Sequence, residues 1–376
     1  MVKKAAPKRR AARPVRKAAA KHAPKQATTR ATTRAAKRAA PAVVRRRPSS
    51  SPVIDFHTHI FVPEVCNFVK ANRHPEATEY QLVDNYLRGA AAQRKRHPRP
   101  GADEIEARLQ DMDESGIDIQ VVFGHVAQYC YWAEPQEAIR LARAGNNALA
   151  EFVRSRPGRF IGMGMVPLQD TPAAVAELQR VAGELGFRAV AVNTHVDGVE
   201  LGDEKLAPFW EQAESLGIPV FIHPSGFAHP RFTRHLMWNG VGQPIEEAIA
   251  MSSLIYEGIL DRFPKLKIGI AHGGGFLPYY AGRVDRNFRN RPHETPKINR
   301  EPSRYMRRFF YDTVVYNPDM LEFLARKVGA DRIVLGGDYP VGEDNPVAFV
   351  RQAKLPSEAK RMILGENAAK LLGISV

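Results

Sequence analysis

The sequence predicts an α/β fold in which eight strand–helix units close into a (β/α)8 TIM barrel, with an insertion after the first strand and a disordered basic tail before it. Short β-branched runs alternate with amphipathic helical stretches, and eight such units fit into about 320 residues. Most runs are apolar throughout, as expected when helices cover a parallel sheet. The predicted strands span residues 53–61, 117–123, 160–167, 189–196, 219–225, 267–274, 309–315 and 332–340.

The positive charge of the chain is concentrated in its first 50 residues. The whole chain has a net charge of +15, but residues 1–50 hold 17 of the 55 Lys and Arg residues and no Asp or Glu. Residues 51–376, the predicted barrel domain, therefore carry 38 basic and 40 acidic residues and are almost neutral. The net charge thus does not mark the barrel domain as a nucleic-acid-binding module.

The tail, residues 1–50, is rich in Lys, Arg, Ala and Pro and has almost no large apolar side chains. Such a segment cannot bury enough surface to offset the entropy of ordering it, so we predict that it is disordered. Three roles remain open from the sequence alone: non-specific contact with a polyanion, an organelle transit peptide, or an extension without function.

Cysteine usage and hydropathy favour a cytoplasmic protein without membrane contact. The two cysteines, Cys66 and Cys130, are too few for a disulfide framework and show no CxxC spacing. No apolar run approaches the ~18–20 residues of a membrane helix, and the N-terminus lacks the apolar stretch of a secretory signal. The insertion, residues 62–102, is long enough to predict a lid or binding element on the face of the barrel where chemistry occurs.

Polar residues fall repeatedly at the carboxyl ends of predicted strands. His57 and His59 are two residues apart in the first strand and therefore face the same side. His223 ends the fifth strand and Asp338 the eighth. Each residue alone has an ordinary explanation as a rim or turn residue. Because all four reach the same end of one barrel, they predict a site for one divalent metal, best Zn(II), with Mn(II), Fe(II) or Co(II) possible.

His272 ends the sixth predicted strand and precedes three glycines, which would let the backbone approach a ligand closely. We predict that His272 acts as a general base or acid on metal-activated water; a fourth imidazole ligand is the alternative. Asp338 is also expected to transfer protons. His195 is either a rim histidine or a site residue, and Asp55 either supports a ligand or is a buried hydrogen-bonding group.

The ordered set of motifs resembles the amidohydrolase-2 branch of the amidohydrolase superfamily, and within it the decarboxylases of carboxylated muconate semialdehydes. The resemblance runs from about residue 53 to about residue 372 and excludes the tail. The motifs that carry it are VIDFHTHI, YWAEPQEA, RFIGMGMVPLQ, ELGFRAVAVNTHV, FIHP, ILDRFPKLKIGIAHGGGFLPYYAGRVD and VLGGDYP.

The resemblance implies a metal-dependent, non-oxidative decarboxylase of a muconate-semialdehyde-like or aromatic acid in a distorted TIM barrel. It implies that His272 is the base that activates metal-bound water. It also implies that Arg283 grips a substrate carboxylate in a neighbouring subunit, and hence a homodimer; the alternative is a surface arginine. The zinc ligands that the resemblance implies are His57, His59, His223 and Asp338.

Two positions depart from the decarboxylase pattern. Ser225 follows the HP motif, where the decarboxylase has tryptophan, and Val341 follows DYP, where it has phenylalanine. The resulting HPSG sequence is similar to that of ring-cleavage-product hydrolases of the same branch. A hydrolase of a C–C, ester, lactone or amide bond is therefore the alternative function. A second substrate-binding arginine is expected in the insertion, with Arg88 one candidate.

Overall fold

The computed structural model describes residues 51–72, 104–226, 229–232, 234–295 and 297–375. The predicted disordered tail and most of the insertion after the first strand, including Arg88, lie outside these ranges. The prediction of a disordered tail therefore stays a prediction, and so does the assignment of an arginine in the insertion.

Eight parallel strands form one sheet, and each strand pairs with the next along the chain. Backbone hydrogen bonds then join the first strand to the segment after the last, from Phe56 N to Leu335 O and from His59 N to Tyr339 O, both 2.8 Å. The predicted TIM barrel is confirmed. The strands are β1 (Ile54–Ile60), β2 (Ile119–Gly124), β3 (Phe160–Met165), β4 (Ala189–Val192), β5 (Val220–Ile222), β6 (Ile268–Ile270), β7 (Phe309–Asp312) and β8 (Ile333–Val334).

Helices surround the strands, and several begin at a side-chain cap. Asp170 accepts a hydrogen bond from Ala173 N at the start of one helix, and Asn317 accepts one from Asp319 N at another. In the described ranges, no helix is both long and apolar enough to cross a lipid bilayer. The helices are α1 (Pro63–Ala71), α2 (Glu104–Ser115), α3 (Pro135–Ser155), α4 (Thr171–Gly183), α5 (Ala207–Leu216), α6 (Gln243–Tyr256), α7 (Ile259–Arg262), α8 (Ala281–Asn290), α9 (Pro318–Val328), α10 (Pro346–Gln352), α11 (Ser357–Arg361) and α12 (Asn367–Leu372).

Several strands end earlier than the apolar runs predict. The strands predicted at 219–225, 267–274 and 332–340 stop before their polar motifs, which lie in loops at the carboxyl end of the barrel. The reason is backbone conformation, since His272 and Asp338 have left-handed φ angles of 49° and 53°, which no strand accommodates. His223, His272 and Asp338 therefore sit on loops held by the strands, whereas His57 and His59 lie within β1.

The fourth predicted strand, 189–196, is divided in the structure. β4 ends at Val192, and His195–Val196 pairs antiparallel with Val199–Glu200 in a separate short hairpin. The apolar pattern of residues 189–196 is the same whether the segment forms one parallel strand or a strand followed by a hairpin. The sequence pattern could not separate them.

The helix–sheet layer is closely packed around β3. Gly162 faces Phe187, and a Cβ atom added at Gly162 would lie 2.3 Å from Phe187 Cδ1. Phe187 is buried, so the ring has no free space into which to retreat. Glycine is therefore required at this position by packing.

We expect Gly162→Ala to lower the free energy of unfolding by about 1–3 kcal/mol, because the new methyl group overlaps the Phe187 ring. Thermal and denaturant unfolding measure the change. Gly183→Ala is the control, because its Cβ would meet nothing within 4 Å at the end of α4. Equal stability of the two variants would contradict the packing argument.

Candidate metal centre

The four predicted metal ligands converge at the carboxyl end of the barrel. One donor atom from each of them lies within 4.8 Å of the others. Asp338 Oδ1 lies 3.0 Å from His59 Nε2 and 3.4 Å from His57 Nε2. The two histidine Nε2 atoms are 3.2 Å apart. The set, His57, His59, His223 and Asp338, thus joins the first, fifth and eighth strand–loop units at one point.

A β-bulge in β1 contains the first histidine of the pair, His57. Asp55 pairs with Gln120 and Thr58 with Val122, so β1 has one more residue than β2 between these two pairs. Both imidazoles point into the barrel mouth, with ring centroids 5.1 Å apart and nearly perpendicular planes. The predicted same-face orientation of the HTH pair is therefore observed.

The protonation states of the imidazoles suit metal binding. His223 Nδ1 donates to Pro224 O at 2.9 Å, which leaves the Nε2 lone pair free, and Nε2 has no hydrogen-bond partner among the described residues. Burial lowers the pKa of His223 well below its usual value and that of His59 to about 4. Both rings are thus neutral at neutral pH, the form that binds metals.

The fourth donor is an anion. Burial alone would raise the pKa of Asp338, but the imidazoles of His57 and His59 outweigh burial and keep it below the usual value. Neutral imidazoles, an orphaned buried nitrogen and a carboxylate within one small volume are a suitable donor set for a divalent ion such as Zn(II). The residues present therefore fit the predicted metal.

A buried carboxylate that the sequence analysis missed orients His57. Asp312, at the end of β7, lies with Oδ2 2.6 Å from His57 Nδ1. Its Oδ1 accepts hydrogen bonds from Gly273 N and Val314 N, both at 3.1 Å. The carboxylate places the proton on His57 Nδ1 and leaves Nε2 to face the centre. The available signal was an acidic residue in the middle of an apolar run, the strand predicted at 309–315.

His272 lies beside the four ligands and is held by a second missed carboxylate. Its Nδ1 contacts the Oε1 atom of Glu247, a fully buried residue of α6. Its Nε2 is 4.0 Å from Asp338 Oδ2, and its ring centroid is 4.9 Å from that of His223. Burial alone would lower the pKa of His272, but Glu247 outweighs burial and raises it to about 9. His272 is thus equipped to hold a proton beside the centre.

Gly275, one of the three glycines after His272, lets the loop pack closely on a neighbouring helix. Gly275 has a φ angle of 58°, and a Cβ atom there would lie 2.2 Å from Pro244 O at the start of α6. The loop can therefore pack directly on the helix that carries Glu247. The close approach of backbone to backbone brings the carboxylate to His272.

Asp55 is a buried hydrogen-bonding group that supports the ligands. Its Oδ1 accepts hydrogen bonds from Gly337 N at 2.9 Å and from His57 N at 3.2 Å. Burial raises the pKa of Asp55 to about 7. The side chain thus fixes the backbone next to Asp338 and at His57, which unites the two interpretations left open by the sequence.

His195 and Arg283 lie outside the four-ligand cluster. His195 starts the short hairpin, where its Nε2 is 3.9 Å from Glu246 Oε2 and its Nδ1 accepts from Gly198 N. Arg283 is exposed on α8, and its side chain has no ion pair with any residue that the structure describes. The chain alone therefore does not bring Arg283 to the centre.

Comparison with known proteins identifies the family. A family model described as amidohydrolase matches residues 54–374. The 2-amino-3-carboxymuconate-6-semialdehyde decarboxylase of Dictyostelium discoideum is 36% identical over 85% of this chain and 91% of its own length. The gamma-resorcylate decarboxylase of Rhodococcus jostii is 31% identical over 72% of this chain and 90% of its own length.

Solved structures agree with these sequence relatives. The 5-carboxyvanillate decarboxylase of Sphingomonas paucimobilis has a TM-score of 0.77 and 27% identity, covering 87% of this chain and 100% of that one. The 2,6-dihydroxybenzoate decarboxylase of Rhizobium has a TM-score of 0.70 and 26% identity, covering 86% and 99%. The resemblance found in the sequence motifs is confirmed: the chain belongs to the amidohydrolase-2 family.

Proposed function

We propose that this chain is a metal-dependent, non-oxidative carboxy-lyase that acts on a small aromatic or muconate-semialdehyde-like carboxylic acid. The observation that carries the proposal is the convergence of four metal-suited donor atoms beside the buried His272–Glu247 pair. Similar proteins that span most of this chain are decarboxylases of such acids, which supports a carboxy-lyase over the hydrolase alternative.

Zn(II) is the metal that we propose, because three imidazoles and one carboxylate match its preferred ligands; Mn(II), Fe(II) and Co(II) also accept this set. When bound, the ion supplies a Lewis acid that polarises substrate oxygen atoms and lowers the pKa of water to about 7. His57, His59, His223 and Asp338 would hold it.

Decarboxylation needs a proton at the reacting carbon. The C–C bond to the carboxylate breaks, CO2 leaves, and a proton takes its place on the carbon. His272 is suited to this transfer, because Glu247 engages Nδ1 and leaves Nε2 toward Asp338. We propose that Nε2 takes up a proton from solvent water as a base and delivers it to the reacting carbon as an acid, with Asp338 Oδ2 as the neighbouring proton acceptor.

The substrate carboxylate requires a cation, and we propose that Arg283 supplies it in a homodimer. Arg283 is exposed on α8, and two large apolar residues just before it are also exposed, Phe276 by 39% and Tyr280 by 60%. Pairing of two chains through this region would cover the apolar side chains. The guanidinium could then bind a substrate carboxylate of the neighbouring subunit in a bidentate manner.

The side chains around Ser225, two residues after His223, are polar and hydrogen-bonded to one another, which bears on the substrate. Ser225 accepts a hydrogen bond from Asn193 Nδ2 at 2.8 Å, and Thr194 donates to Glu246 Oε2 at 3.0 Å. A tryptophan at position 225 would instead provide an apolar stacking surface. We propose that this chain takes a substrate with hydroxyl or carbonyl oxygens on that side.

We further propose that residues 1–50 form a separate disordered segment that contacts polyanions and does not take part in the reaction. Its 17 basic residues without an acidic one suit non-specific phosphate contact. Cys66 and Cys130 are both buried and are not joined in a disulfide, as suits a cytoplasmic protein.

The proposal predicts about one divalent ion per chain and release of CO2 from at least one carboxylated muconate semialdehyde or hydroxybenzoate. Elemental analysis and CO2 detection measure both. A chelator should abolish turnover, because it removes the ion that the reaction needs, and added Zn(II) should restore turnover.

His223→Ala should lose the metal and the activity, whereas His293→Ala, at a residue whose side chain is 76% exposed, should keep both. Hydrolysis of a C–C, ester, lactone or amide bond without CO2 would refute the carboxy-lyase proposal in favour of the hydrolase.

We expect Asp312→Asn to weaken Zn(II) binding by about 10–100-fold, because the amide no longer fixes the proton on His57 Nδ1. Competition with a chromophoric chelator measures the affinity. Asp331→Asn is the control, since that carboxylate pairs with Arg307 at the surface. Unchanged Zn(II) affinity in Asp312→Asn would show that the Asp312 carboxylate is not needed to orient His57.

The role of Arg283 across a dimer predicts complementation between two inactive variants. Arg283→Ala and His272→Ala should each be inactive alone. Mixed after unfolding and refolding together, they should regain about a quarter of the wild-type activity, because half of the dimers are mixed and each contains one complete site. A double variant that carries both changes in one chain is the control and should stay inactive. No recovery of activity in the mixture of single variants would exclude Arg283 acting in trans.

A further inference from the structure

A buried arginine lies directly behind the four-ligand cluster. Arg108 of α2 is 1% exposed and is among the largest fully buried side chains of the described chain. Its Nη2 donates to the backbone carbonyl of His59 at 2.5 Å, and its Nη1 donates to Gln120 Oε1 at 3.0 Å. One end of the guanidinium is thus attached to a candidate metal ligand.

The flat face of the same guanidinium contacts the other edge of the centre. Arg108 Cζ lies 4.5 Å from the ring centroid of Tyr339, the residue after Asp338. The Tyr339 hydroxyl donates to Asp111 Oδ2 at 2.9 Å, so α2 contacts this tyrosine through two of its side chains. Because His59 N also donates to Tyr339 O at 2.8 Å, His59, Tyr339 and Arg108 form a closed triangle of contacts.

The charge of Arg108 is not explained by stability. Its side chain has no ion pair with a carboxylate in the part of the chain that the structure describes, and its Nε has no hydrogen-bond partner there. The buried carboxyl of Asp55 is close enough to Arg108 to interact with its charge but forms no ion pair with it. Burying a guanidinium without a directly paired anion is unfavourable, and apolar side chains of similar volume often serve packing better. A second cation near a divalent metal is also repulsive.

The shape of the arginine side chain allows two kinds of contact that an apolar residue cannot combine. The guanidinium is planar, with donors in a fixed fork and a face that stacks on aromatic rings. Here the fork reaches a carbonyl of β1 while the face covers the ring of Tyr339, after β8. No apolar side chain makes both contacts.

We infer that Arg108 is a positioning residue for the metal centre, which holds His59 and the Asp338–Tyr339 segment at a fixed separation and thereby sets metal affinity. The inference rests on the proposed metal site, and it assigns Arg108 no contact with substrate. The triangle of contacts joins two ligand-bearing segments, and Arg108 Cζ also lies 5.5 Å from the ring centroid of Phe152 in α3. Metal affinity and fold stability are therefore measured separately.

The test compares Arg108→Met, Arg108→Lys and wild type in two measurements: Zn(II) affinity by chelator competition, and the Tm of the metal-free protein. Arg108→Met should lower Zn(II) affinity by about 10–100-fold, with a metal-free Tm equal to or above that of wild type. The Zn(II) affinity of Arg108→Lys should fall between those of Arg108→Met and wild type, because lysine keeps the charge and a donor but not the planar face.

Arg180→Met is the matched control. Arg180 is also largely buried, but it pairs with Glu177 at 2.7 Å within α4. That variant should lower the metal-free Tm and leave Zn(II) affinity unchanged. Should Arg108→Met not fold, Gln120→Leu, which removes the acceptor of Nη1, replaces it and should weaken Zn(II) binding in the same direction.

Unchanged Zn(II) affinity in Arg108→Met while wild type binds the ion would overturn this inference and leave the proposed function intact. A wild-type protein that binds no Zn(II) would overturn both. A lowered metal-free Tm with unchanged affinity would mean that Arg108 serves the fold alone.

Discussion

The centre depends on the closure of the barrel between β1 and β8. His59 and Asp338 are 279 positions apart in the chain, yet their side chains lie 3.0 Å apart. They meet because the backbone of β1 pairs with the segment after β8, through His59 N and Tyr339 O. An open sheet of the same eight strands would leave these two edges at opposite ends. Closure is therefore a condition for the chemistry as well as for the fold.

Hydrogen-bond acceptors then decide which nitrogen of His57, His223 and His272 faces the centre. Asp312 engages Nδ1 of His57, and Glu247 engages Nδ1 of His272. The carbonyl of Pro224 does the same for His223. In all three rings Nε2 is left to the site, so the ring orientations are set by contacts outside the ligand set. Glu247 supports His272, the group that holds a proton, and Asp312 supports His57, a metal ligand.

The sequence predicted the barrel and the four ligands because both depend on local patterns: apolar strand runs, and polar residues where those runs end. It did not find Asp312 or Glu247, whose roles come from contacts across the fold. Glu247 stands next to Glu246 in a helix, where adjacent acidic residues usually face water. Arg108, in the polar stretch EIEARLQDMDES, likewise resembles a surface residue. The strand ends were misplaced because left-handed φ angles are not visible in an apolar run.

The apolar floor of the mouth explains why the imidazoles of His59 and His223 are neutral. Phe221 and Phe123 lie beneath His57, with ring centroids 5.3 Å and 5.7 Å from its own. These rings exclude water from the base of the site, and a charged imidazole is unfavourable in such surroundings. His59 and His223 therefore keep their lone pairs at a pH where an exposed histidine would be partly protonated. The same burial would be destabilising around unpaired carboxylates, which is why each buried acid here contacts an imidazole or a backbone amide.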